Sequence, residues 1–227
     1  AATLVPLGQG GALLAFPGDF VLILYLLGLA RLFTVLAALD TGSSFEGMGA
    51  SREVTFAAVA EPVLFLALLA VARAGGALSL SGMYANLSAT SWRQAGLGLG
   101  LAAAALAVVT LVENCRVPAD DPNTHLELTM IHEVMVLDHS GPDLAFILYG
   151  AALKLWLFAS LVVRLPAAAL PLDPWAGLAA HVLGVLVAGV GIGVVESIMA
   201  RHRLLRVPHL LIGAGTLAVL ALVLSWS

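Results

Sequence analysis

Residues 113–141, "ENCRVPADDPNTHLELTMIHEVMVLDHSG", lie between two long apolar runs. They gather Glu113, Arg116, Asp120, Asp121, His125, Glu127, His132, Glu133, Asp138 and His139 into one stretch. A soluble domain would scatter such residues over its surface. Here they stand out in a chain of 227 residues that is 61% hydrophobic and 11% charged, with a mean hydropathy of +1.03. That balance marks an integral membrane protein. The polar stretch therefore reads as a loop outside the bilayer, and the runs around it as membrane spans.

Runs of ~20 apolar residues, enough to cross a hydrocarbon core of ~30 Å, occur near 17–39, 51–73, 94–113, 143–164, 174–199 and 207–226. Only helices and closed barrels satisfy the backbone in lipid, and runs this continuous are helical. The predicted fold is all-α: a polytopic bundle of about six transmembrane helices, one membrane domain over 1–227, with an acidic loop at 114–142. Pro17 and Pro174 fit helix starts, and Gly75 and Gly76 a helix end. Ser51 fits an N-cap, with Glu53 in the first turn. The clusters "GLGLG" (96–100) and "GVGIG" (189–193) lack the strand–turn–helix setting of a dinucleotide site and predict close helix packing. No internal repeat is visible. The opening "AATLVPLGQGG" has neither a methionine nor a basic leader, so a missing N-terminal portion is expected.

Lone Cys115 excludes an internal disulfide, and equally a Cys-ligated iron–sulfur cluster or a CxxC zinc site built by this chain alone. It reads as a passive small residue. The formal charge of −4 matters less than where the charges fall. With alternating helices, one side of the membrane receives Arg52, Arg116, Arg201, Arg203 and Arg206, and the other Arg73, Arg93 and Arg164. The first side is predicted to be cytoplasmic. It also collects Asp40, Glu46, Glu53, Glu113, Asp120, Asp121, Glu127, Glu133, Asp138 and Asp143.

Within the loop, Thr124 to Glu127 reads as a capping box that opens a short helix running to about Ser140. On one continuous helix His125, His132 and His139, seven apart, would share a face. Metal ligands on a helix want three- or four-residue spacing, so a polar cavity or a partner-facing surface is the expectation. Arg31, Glu61 and Lys154 fall deep in apolar runs, where each costs roughly 2.5–3.5 kcal/mol on insertion scales. They are expected either to pair, Glu61 with Lys154 or Arg31, or to serve ion movement. Glu196, near the end of its run, is expected to snorkel or to pair with Arg201.

Glu113, Arg116, Pro118, Asp120, Glu127 and Leu128 form the pattern "ExxRxPxDxxxxxxEL". It resembles the acidic loop of the membrane subunit that forms the quinone chamber of respiratory complex I. "LDTGSSFEGMGASREVTFAAVAEP" (39–62) and "VVESIMARHRL" (194–204) resemble the matching segments of membrane-anchor subunits in formate hydrogenlyase and other group 4 nickel–iron hydrogenases. The resemblance runs from about Gly18 onward. It implies an eight-helix subunit of the inner membrane, of which two N-terminal helices are absent here. It also implies a chain without a catalytic centre or cofactor of its own. Hydrogenase-like small and large subunits carrying iron–sulfur clusters and a nickel–iron centre would dock on its cytoplasmic loop, antiporter-like subunits would sit beside it in the membrane, and no nucleic acid would be involved.

Carried residue by residue, the resemblance matches Glu113, Arg116, Asp120 and Glu127 to the loop, Arg52, Glu53 and Glu61 to an earlier polar cavity, and Glu196 to a late acid. Together with the depth of Arg31 and Lys154 and the acidity of the loop, ion movement or coupling is expected at Arg31, Glu61, Glu113, Asp120, Glu127, Glu133, Lys154 and Glu196, and docking at Arg52, Glu53, Arg116, Pro118, Asp121, His125, His132 and Asp138. Ala119, Asn123 and His125 replace the phenylalanine and extra glutamates usual in complex I, and "LDHSG" (137–141) replaces an acid followed by an aromatic. Those departures favour the hydrogenase branch over quinone binding. The alternatives are a quinone-binding complex I subunit, a secondary transporter, which should carry an inverted repeat, and a purely structural anchor.

Overall fold

A computed structural model describes residues 1–227 except 9, 118, 119, 121–129, 171, 200–205 and 227. Its helices are α1 (Asp19–Asp40), α2 (Ser44–Gly75), α3 (Leu80–Ala85), α4 (Ala89–Glu113), α5 (Gly141–Ala167), α6 (Pro174–Ile198) and α7 (Val207–Leu224). All but the short α3 are long and apolar enough to cross a membrane. The chain is a multi-pass membrane protein, and the six spans follow the six apolar runs in order.

Their ends differ where a helix continues past its apolar part. α2 starts at Ser44, not Ser51, and its 32 residues reach ~48 Å at ~1.5 Å per residue. That exceeds the hydrocarbon core, so its first turns stand outside it. Ser51 therefore caps nothing: it lies inside α2, and its Oγ donates to the Met48 carbonyl at 2.8 Å. The first-turn acid is Glu46, not Glu53. α4 likewise begins before its apolar run, at a Ser88–Ser91 capping box, and is kinked at Ala95. α1 begins after Gly18, whose φ of 89° suits glycine. Pro174 does open α6, behind an Asp173 cap.

α2, α4 and α7 pack most extensively on one another, α1 leans on α2, and α5 pairs with α6. Their seams are lined by small residues, Ala67, Ala102, Ala105, Ala218 and Ala221, all buried. Lipid gives helices no hydrophobic reason to associate, so close backbone approach and van der Waals contact hold such seams. Gly98, of the first glycine cluster, serves this end: a Cβ there would stand 3.3 Å from the Ala221 carbonyl. The second cluster does not. Gly189, Gly191 and Gly193 face open space, on a helix whose Leu183, Leu186, Val187 and Val190 are exposed.

In the acidic loop the described residues 130–140 form no α-helix, only a 3-10 turn at Glu133–Val136. Val134, Met135 and Val136 are buried, and a Cβ at Gly49 of α2 would collide with Val134. Apolar docking onto α2 holds this turn, in place of the predicted helix, so His132 and His139 share no helical face. The capping box at Thr124–Glu127 lies outside the described residues, as do Pro118, Asp121 and His125.

Candidate functional site

Four helices converge on Arg31 of α1. Its Nε lies 3.3 Å from Glu53 Oε1 and its Nη2 2.5 Å from Glu113 Oε2, while Nη1 donates to Glu61 Oε1. Lys154 Nζ, from α5, stands 3.0 Å from the same Glu113 Oε2. Glu53 and Glu61 lie on α2, ~12 Å apart along it. Arg31 reaches both because its planar fork carries five donors in fixed directions. Gly28, one turn before Arg31, leaves room for the Glu61 carboxylate, which lies 3.7 Å from where a Cβ would be. Glu113 is the last residue of α4, so the α4 terminus itself closes the cluster.

Three carboxylates thus share two cations. In a low-dielectric setting such groups persist only when paired and hydrogen-bonded, and here each has a partner. The pairing leaves one carboxylate charge in surplus, the feature a proton or a small cation would neutralise. The side chains of Arg31, Glu53 and Glu113 are 8%, 12% and 5% exposed, whereas that of Glu61 is 46% exposed. Glu61 is the open edge of the site.

The structure regroups several predicted residues. Glu53, expected at the docking loop, belongs to the Arg31 cluster, because α2 begins earlier than its apolar run. Glu61 pairs with Arg31 and not with Lys154, whose partner is Glu113. Arg52 does reach the loop, donating from Nη1 to the Met130 carbonyl at 2.7 Å. Asp120 is buried, and its Oδ2 accepts from the amides of Ile131 at 2.9 Å and His132 at 3.4 Å. It shapes the chain leading into the 3-10 turn. Glu196 lies 3.5 Å from Arg116 Nη1. The partner predicted for it, Arg201, lies outside the described residues, as does Glu127. Glu133 sits half-buried in the turn, and Asp138 is exposed, its amide donating to Glu46 Oε1 at 2.8 Å.

Glu46, not predicted as a site residue, is fully buried and ties three segments together. Besides the Asp138 amide it accepts from Thr41 Oγ1 at 2.5 Å, and His139 Nδ1 lies 3.7 Å from its Oε1. Its helical neighbourhood gives no sequence signal, since "SSFEGMG" reads as a polar linker. Cys115 has a positive φ of 50°, and its Sγ lies 4.0 Å from Glu53 Oε2. Burial, with the Glu53 charge adding to it, pushes the thiol well above its usual range.

Residues 1–226 match the NADH dehydrogenase family. The chain is similar to hydrogenase-4 component C of Escherichia coli (strain K12), 35% identical over 210 residues, covering 90% of this chain and 65% of that protein. It is also similar to formate hydrogenlyase subunit 4 of the same organism, 31% identical over 201 residues, covering 87% of this chain and 61% of that protein. The chain spans less than two thirds of either relative. With the match extending over nearly every residue, the chain belongs to the NADH dehydrogenase family.

Proposed function

We propose that this chain anchors a hydrogenase-type redox module at the cytoplasmic face of the inner membrane and couples its electron transfer to proton or sodium movement. The observation that carries the reading is the Arg31 cluster: five ionisable side chains from four helices, with one carboxylate in excess. A relay group must take up and give back a positive charge without breaking its surroundings, and a surplus carboxylate shared between two cations can do so. The neighbouring loop, held by Asp120, Arg52 and Glu46, is the surface for the soluble module. Its subunits would supply the iron–sulfur clusters and the nickel–iron centre, with antiporter-like subunits alongside in the membrane. The named relatives, components of hydrogenase-4 and formate hydrogenlyase, support this reading.

One observation favours a second reading, a purely structural anchor: every charge in the cluster is paired. Glu61→Gln separates the two. Glutamine keeps the size and hydrogen bonding of Glu61 and removes its exchangeable charge, at the most exposed edge of the site. The complex is purified with its partners, sealed into vesicles, and assayed for redox turnover and ion uptake together. Coupling predicts an assembled complex with impaired uptake. Normal uptake would remove Glu61 from the path, and loss of the complex would favour the static brace.

A further inference from the structure

Ten residues beyond Lys154 on α5, ~15 Å toward the other membrane face, lies a second polar group of opposite character. Arg164 is buried at 2% exposure with its Cζ 5.6 Å from the centre of the Tyr84 ring, and Tyr84 in turn donates its hydroxyl to the Leu161 carbonyl at 2.9 Å. His181 of α6 is equally buried, its Nε2 3.3 Å from Ser160 Oγ and its ring edge-on to Trp156. Arg164 lies one helical turn beyond Ser160 on α5, so its charge and the His181 ring sit on the same α5–α6 seam.

Among the described residues Arg164 has no carboxylate partner, and its Nε and His181 Nδ1 are buried without a hydrogen bond. Asp19, a buried acid of the same half, turns its Oδ1 to the Leu80 amide at 2.7 Å and not to Arg164. Between the two groups on α5, Leu157 and Phe158 are buried in the apolar core. The Arg31 cluster thus carries a surplus negative charge, whereas the α5–α6 seam at Arg164 carries an unpaired positive one. A guanidinium cannot be neutralised by losing its proton, and a fixed cation in a narrow protein passage is an electrostatic barrier to protons and metal ions.

We infer that Arg164, with His181 beside it, is a fixed positive plug that closes the α5–α6 seam to cations. An ion received at the Arg31 cluster therefore does not cross this chain along that seam. This rests on the ion-coupling reading above, but its test does not need turnover. The complex with its partner subunits is reconstituted into phosphatidylglycerol–phosphatidylethanolamine vesicles without reductant, and the decay of an imposed pH gradient and of an imposed sodium gradient is followed. Arg164→Gln is expected to hasten one of the decays by about tenfold or more.

Should Arg164→Gln not assemble, His181→Asp serves, because it leaves Arg164 in place and cancels its charge with a neighbouring acid; it is expected to leak as well. Vesicles as tight as the parent in whichever of these variants assembles would overturn the inference. Failure of the coupling reading has a different signature: a parent complex that turns over and moves no ion.

Discussion

Arg31 and Glu113 are 82 residues apart in sequence and 2.5 Å apart between Nη2 and Oε2. This contact ties the second half of α1 to the last residue of α4, and through Glu113 to Lys154 of α5. A buried charge with its partner removed is costly, so the cluster behaves as a unit. Arg31→Ala leaves Glu53, Glu61 and Glu113 facing Lys154 alone. The expected loss is roughly 3–5 kcal/mol, seen as a fall in complex yield and in melting temperature in detergent. Arg31→Lys is expected to fall between, since one ammonium cannot serve three carboxylates as the fork does. An alanine variant that melts with the parent would place the stabilisation elsewhere.

Glu46→Ala tests the buried clamp at the loop. Removing the carboxylate leaves the Asp138 amide without its acceptor, while the Thr41 hydroxyl keeps the Ala38 carbonyl at 2.8 Å, at about 1–3 kcal/mol. The effect should be local, because α1 and α2 also meet elsewhere. Hydrogen exchange is expected to quicken at residues 134–138 while the α4–α7 seam keeps its protection. Unchanged exchange in that turn would show that apolar docking against Gly49 suffices to hold it.

Cys115 yields a pH prediction. A thiol pushed above its usual range by burial and by Glu53 stays protonated through neutral and mildly alkaline pH, and only the thiolate is nucleophilic. Alkylation by N-ethylmaleimide should therefore lag behind that of an exposed cysteine peptide across pH 7–9, and rise only above that range. Glu53→Gln removes the adjacent negative charge and should speed the reaction, as followed by intact mass. A parent protein alkylated as fast as the peptide would contradict the placement of the thiol.

The spans were legible because hydropathy reports what lies in lipid, and all six runs reappear as helices. The same property hid the start of α2. Residues 44–51, "SFEGMGAS", are polar and glycine-rich, so the apolar signal stops short of the helix start, and Glu53 reads as a first-turn residue at the docking face when it lies inside α2 and pairs with Arg31. The deep positions of Arg31, Glu61 and Lys154 marked them as unusual, but their partners depend on which helices touch, which no local pattern encodes. The seven-residue histidine spacing misled for a related reason. It defines a face only on a continuous helix, and in residues 130–140 docking against α2 selects a 3-10 turn.

Arg116 and Glu196 offer a test that separates a brace from a dock. Their 3.5 Å contact links the chain just after α4 to the end of α6, and both side chains are partly exposed, 34% and 27%. Such a pair contributes only about 0.2–1 kcal/mol and is screened by salt. If bracing is its whole role, Arg116→Ala and Glu196→Ala should each lower the melting temperature slightly, and the double variant should show a coupling energy no larger than that. If Arg116 also meets the soluble module, its replacement should release that module from membranes far more than Glu196→Ala does. Truncating one side of an interfacial charge pair typically costs 2–5 kcal/mol. The measurement is the fraction of module that sediments with membranes in the two single variants at low and at high salt. A larger loss for Arg116→Ala is the expected result, and equal losses in both variants would confine the pair to bracing.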